Sequence, residues 1–154
     1  MLSDVSHTFV LDIDNDEKEY IVVNTLRLVP ELRSPYPGSL AILIDEVPLE
    51  DIFAEFESRY TVKINGAYTS LLTFNNLRNK IAKQKGGFVP LGCDCGEPEC
   101  WFVTGEIVEV DNYICWMNWE NPYREAWKYN DFPSIVFEKA QYAHAIEHAL
   151  TLKK

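Results

Sequence analysis

Two stretches near the N-terminus, Thr8 to Ile13 and Tyr20 to Leu28, are mostly apolar and rich in β-branched and aromatic side chains, a strand pattern. The polar run Asp14-Asn15-Asp16-Glu17-Lys18 between them predicts a turn, and the three pieces together a hairpin. Pro30, Pro35, Pro37 and Gly38 then mark a loop. Ser39 to Asp45 is a continuous apolar strand. After Pro48, which suits a first helical turn, Leu49, Ile52, Phe53, Phe56 and Tyr60 recur at helical spacing with Glu50, Asp51, Glu55 and Glu57 between them. Asn65-Gly66 predicts a turn. From Ser70, a potential N-cap, Leu71, Phe74, Leu77 and Ile81 predict a second helix through Ala82, ended by Gly86-Gly87.

The second half is dense in strands. Phe88 to Cys95, Cys100 to Val110 and Tyr113 to Trp119 are separated only by Gly96-Glu97-Pro98-Glu99 and Asp111-Asn112, which predicts a β-meander. Ser134 to Phe137 adds a short strand, and Ala140, Ala143, Ile146, Ala149 and Leu150 line one face of a closing helix, Glu138 to Leu152. Strands that pair locally, with the helices kept apart from them, predict an α+β fold: a mainly antiparallel sheet with a central meander and two or three helices, as one domain over 1–154.

Composition changes the picture in one respect. Lys and Arg number 14 against 24 Asp and Glu, a net charge of −10, which repels phosphate backbones and anionic lipid heads. Nucleic-acid and membrane roles are thereby disfavoured, and a basic protein partner favoured. The first residues lack the basic start and apolar run of a signal peptide, and Leu40 to Ile44 is far too short to span a bilayer, so a cytoplasmic protein is expected.

The most informative line is Cys93-Asp94-Cys95-Gly96-Glu97-Pro98-Glu99-Cys100. With 96–99 as the turn, Cys95 faces Cys100 and Cys93 points to the same side, so three sulfurs fall within ~5–8 Å of one another. Zinc with His144 or His148 as the fourth ligand, a Cys95–Cys100 bridge, and free packed thiols are the three states open to them. Free thiols without a cofactor are the favoured reading, because C-x-C on a strand splays its ligands where zinc knuckles use C-x2-C. Cys115, by contrast, is placed opposite Val108 and reads as a buried small hydrophobe.

Three further motifs accompany this line: Trp116-Met117-Asn118-Trp119-Glu120-Asn121-Pro122-Tyr123-Arg124, Trp127-Lys128-Tyr129, and Phe137-Glu138-Lys139-Ala140-Gln141-Tyr142. Together with Cys93-x-Cys95-Gly96 and Cys100-Trp101 they resemble a family of uncharacterised bacterial proteins with C-x-C-G-x-x-G-C-W, W-x-x-F-x-x-P-x-R and F-D-R-x-Q-Y. The resemblance covers roughly Leu91 to Leu150. Glu99, Trp119 and Glu138-Lys139 depart from the pattern, and His144 and His148 are not part of it. It implies a fold grouping and no named activity.

Aromatics beside an arginine are what interfaces and pockets use, so Trp116, Trp119, Tyr123, Arg124, Trp127 and Tyr129 are the candidate binding residues. Asp12 to Asp16 fails as a calcium loop, since Glu17 and Val23 stand where Gly and Glu are needed. No nucleophile elbow, phosphate loop or triad order appears. The expectation is a small acidic, immunity-like or inhibitor-like binding protein that neutralises a basic partner. The alternative is a thiol-dependent redox or metal-binding protein or enzyme using Cys93, Cys95 and Cys100.

Overall fold

A computed structural model describes residues 7–14, 17–32, 34, 36–60, 68–82, 85–93, 102–122 and 128–152. Among these residues ten strands and three α-helices follow in the order β1 (His7–Asp14), β2 (Glu17–Val23), β3 (Leu26–Pro30), β4 (Leu40–Ile44), β5 (Val47–Pro48), α1 (Leu49–Glu57), β6 (Tyr68–Ser70), α2 (Leu77–Ile81), β7 (Gly86–Cys93), β8 (Phe102–Val110), β9 (Tyr113–Glu120), β10 (Ile135–Glu138) and α3 (Lys139–Thr151). The fold is α+β with antiparallel sheets throughout: a hairpin β1-β2, three strands in the order β3-β4-β5, and five in the order β10-β9-β8-β7-β6. The predicted meander is β7-β8-β9. Its register sets Cys115 opposite Val108, as the two-residue turn at Asp111-Asn112 requires.

Backbone bonds stitch the two larger sheets into a curled half-barrel. Leu40 N–H donates to Leu72 O at 2.8 Å, and Asn24 N–H donates to Val136 O at 2.6 Å, so the three-stranded sheet meets both edges of the five-stranded one. Helix α3 closes the seam. The Gln141 amide acts as a further strand there, donating to Leu26 O and accepting from Leu26 N–H at 2.8 and 3.0 Å.

The core lies inside this curl. Helix α1 buries Leu49, Phe53 and Phe56 and turns Asp51 and Glu55 to solvent, as its periodicity predicts. Phe53 stacks on Phe132 at 4.3 Å between centroids and meets Trp119 edge-on at 5.1 Å. Trp116 packs edge-on to Phe137 at 4.9 Å, its Nε1–H donating to the Tyr142 hydroxyl, which in turn donates to Ile81 O.

Four sequence expectations are corrected. The helix from Ser70 is only Leu77–Ile81, preceded by strand β6 and a turn. Leu71, Phe74 and Leu77 do have helical spacing, but the backbone from Tyr68 to Thr73 pairs instead with β7 and with Ser39, and Ser70 Oγ accepts from Leu72 N–H in a side-chain turn. Gly86 and Gly87 accordingly open β7 and do not end a helix. The strand expected over Tyr20 to Leu28 breaks at Asn24 and Thr25, where Asn24 crosses to Val136 and Asp45. Pro48 precedes the first turn of α1 and is not within it.

Candidate functional site

The end of the five-stranded sheet where β7 stops, β8 starts and β9 stops is the part of the fold that the sequence flagged. Cys93 there lies opposite Tyr68 in register, Gly92 opposite Phe102, and Thr104 opposite Glu120. Cys95, Cys100, Tyr123, Arg124 and Trp127 lie outside the described residues, as do residues 96–99, over which a turn is expected.

Trp116, Trp119 and Tyr129, expected on a binding surface, are core residues at 0, 2 and 4% exposure. The reason is local. Three residues apart on a regular strand, two tryptophans face opposite sides of the sheet. Between Thr104↔Glu120 and Glu106↔Met117, however, β9 holds one residue more than β8, and Asn118 takes up the bulge at φ 57°. The side-chain alternation is reset, so both indoles turn inward while Asn118 and Glu120 turn out. Gly105 makes this possible: a Cβ there lies 2.6 Å from Trp119 Cζ3 and 3.0 Å from Phe88 Cε1.

Beneath the end of β9 sits a buried polar cluster that sequence reasoning missed. Glu57, the last residue of α1, is fully buried. Its Oε2 accepts from the Tyr68 hydroxyl at 2.7 Å and from the Tyr129 hydroxyl, while Asn121 Nδ2 donates to the Tyr68 oxygen at 2.9 Å. Burial first, then the neighbouring Glu57 carboxylate, pushes both phenols well above the usual tyrosine range. The helical period of α1 does put Glu57 on the face of Phe53 and Phe56, which is the one signal that could have revealed it. The cluster ties α1, β6, the residue that follows β9 and the 3-10 turn Tyr129–Asp131 together. It has no opening to solvent at Glu57, so it positions its surroundings and is not itself a docking surface.

On the outer face of the same sheet, over the start of β7, the middle of β8 and the end of β9, a shallow groove of about 380 Å³ is lined by Gly87, Val89, Thr104, Glu106, Asn118 and Glu120. Gly87, opposite Glu106, has no side chain to fill it. Asn118 Nδ2 donates to Glu106 Oε1, which fixes that carboxylate at the rim. Both glutamates are exposed, and neither is ion-paired among the described residues. What this arrangement can do chemically is accept hydrogen bonds and attract a cation.

His144 is exposed on α3, which starts beside the Asp111-Asn112 turn that ends β8. Among the described residues no three His, Cys, Asp or Glu side chains are grouped closely enough to hold a metal. Cys115 is a buried thiol, and burial pushes its pKa up. No described helix is long and apolar enough to cross a membrane. Set against family models, curated proteins and solved structures, the chain matches none. The functional reading therefore rests on the chain's own residues.

Proposed function

We propose that this protein is a small acidic binding module, immunity-like or inhibitor-like, that captures and neutralises a basic protein partner in the cytoplasm. The groove over Gly87 carries the reading: two exposed carboxylates, Glu106 and Glu120, flank an opening with no neutralising cation among the described residues. A lysine or arginine of a partner matches that chemistry, and a bidentate guanidinium fits best. The net charge of −10 adds long-range attraction, which raises the rate of encounter with cationic proteins and keeps nucleic acid away.

The test is retention of a partner from the source cell on the immobilised chain at low salt, followed by affinity measurement with that partner purified. The expected result is a basic partner whose affinity falls as salt rises, and falls about tenfold when Glu106→Gln and Glu120→Gln are combined. Affinity indifferent to both salt and the double substitution overturns the reading. So does a chain that retains no protein but whose Cys93, Cys95 or Cys100 reacts stoichiometrically with an oxidant or metal, which is the outcome the thiol alternative requires.

A further inference from the structure

His144 and His148 stand one helical turn apart on the solvent face of α3, both exposed, with their rings nearly parallel at 18° and their centroids 6.4 Å apart. We propose that this pair is a two-histidine chelating site for a divalent late transition-metal ion such as nickel, copper or zinc, one that requires none of Cys93, Cys95 and Cys100. Side chains four residues apart on a helix have Cβ atoms about 5–6 Å from each other. An ion held at about 2.0–2.1 Å from each imidazole nitrogen needs those nitrogens roughly 3 Å apart, a separation the two rings reach by swinging their outer ends together. Both residues are exposed, so core packing does not hold the rings against that swing.

The neighbours leave the pair available. Glu147, between them in sequence, reaches across to Arg78 at 4.0 Å, and the Thr151 hydroxyl is taken up by donating to His148 O. Imidazole nitrogen selects nickel, copper and zinc over magnesium and calcium, which prefer oxygen. With only two protein ligands, the remaining coordination positions belong to water or to a donor brought by a bound molecule. The acidic surface raises the local concentration of any cation. Because the ion would staple the last turns of α3, binding stabilises the helix whose Gln141 and Tyr142 close the half-barrel.

The experiment is calorimetric titration of tag-free protein with nickel ion alone, alongside its thermal midpoint with and without the metal. One equivalent should bind saturably, and saturating nickel should raise the midpoint by at least about 2 °C. His144→Ala and His148→Ala should each weaken binding at least about tenfold, and the double variant should lose both the binding and the midpoint shift. Both positions are exposed, so the variants keep the fold. Nickel binding unchanged in the double variant assigns the metal to other residues, the cysteine turn foremost, and overturns the proposal. So does an absence of saturable binding to the parent chain.

Discussion

At the scale of single residues, the buried Glu57 carries the largest identifiable consequence. Its carboxylate is the shared acceptor for two phenols, and a hydrogen bond to a charged group contributes about 1.5–3 kcal/mol. Tyr129→Phe should therefore cost about 2 kcal/mol and Glu57→Leu about 3–5 kcal/mol in urea unfolding, because the second strands two hydroxyls in the core. The same burial sets an alkaline limit. Tyr68, Tyr129 and Tyr142 all hold their phenolic protons more tightly folded than unfolded, with burial the first cause for each. Their contribution is full below the unfolded value near pH 10 and is lost as pH climbs towards the folded values. Above about pH 10 each should remove about 1.4 kcal/mol of stability per pH unit. Urea midpoints between pH 9 and pH 11 check this, and the combined Tyr68→Phe and Tyr129→Phe variant should show about one third of the slope.

Turns and bulges decide the outcome at the scale of elements. The bulge in β9 depends on Gly105 as much as on Asn118, since any Cβ at 105 meets the Trp119 ring at 2.6 Å. Gly105→Ala is expected to cost about 1–3 kcal/mol through overpacking, and Asn118→Gly to cost nothing or to stabilise, as both can be read from chemical denaturation. The β4–β5 turn offers a second test. Asp45 and Glu46 both have positive φ, at 52° and 69°, in a two-residue hairpin where Asn-Gly is the usual choice. Asp45 recovers its strain by accepting from Thr25 N–H at 2.8 Å and Asn24 Nδ2 at 2.7 Å. Among the described residues Glu46 pairs with Arg27 alone, a bidentate but exposed contact at 2.9 and 2.8 Å worth at most about 1 kcal/mol. Glu46→Gly should therefore leave stability unchanged or raise it by up to about 1 kcal/mol, seen as a higher thermal midpoint.

For the whole molecule, charge dominates. Ten excess negative charges on a chain of this size repel one another, and that repulsion is greatest in the folded state where the charges are closest. Thermal midpoints should rise as sodium chloride goes from about 10 mM to about 150 mM, where the Debye length shrinks from roughly 30 Å to 8 Å. Affinity for a basic partner should move the opposite way over the same range. The two trends have one origin, and observing the first without the second would separate a merely acidic protein from one that uses its charge to bind.

What the sequence determined by itself is the local part. A continuous apolar run placed β4, short turn signals placed the meander β7-β8-β9, and an apolar stripe placed α3, because strands joined by short connections pair with their neighbours and such a stripe identifies a helix face. Register followed as well: Asp111-Asn112 sets Cys115 against Val108 through a turn only two residues long. Tertiary structure alone decided the rest. The periodicity of Leu71, Phe74 and Leu77 was overruled because backbone donors at 68–73 found partners on β7 and Ser39, which are distant in sequence. The inward turn of both Trp116 and Trp119 depended on a bulge that no turn residue announces, and on a glycine one strand away. Glu57 reads as one more acid on an acidic helix. Only the meeting of Tyr68, Asn121 and Tyr129, brought from 11, 64 and 72 residues away, makes it a buried acceptor, because long-range contacts are set by how elements pack and not by their own patterns.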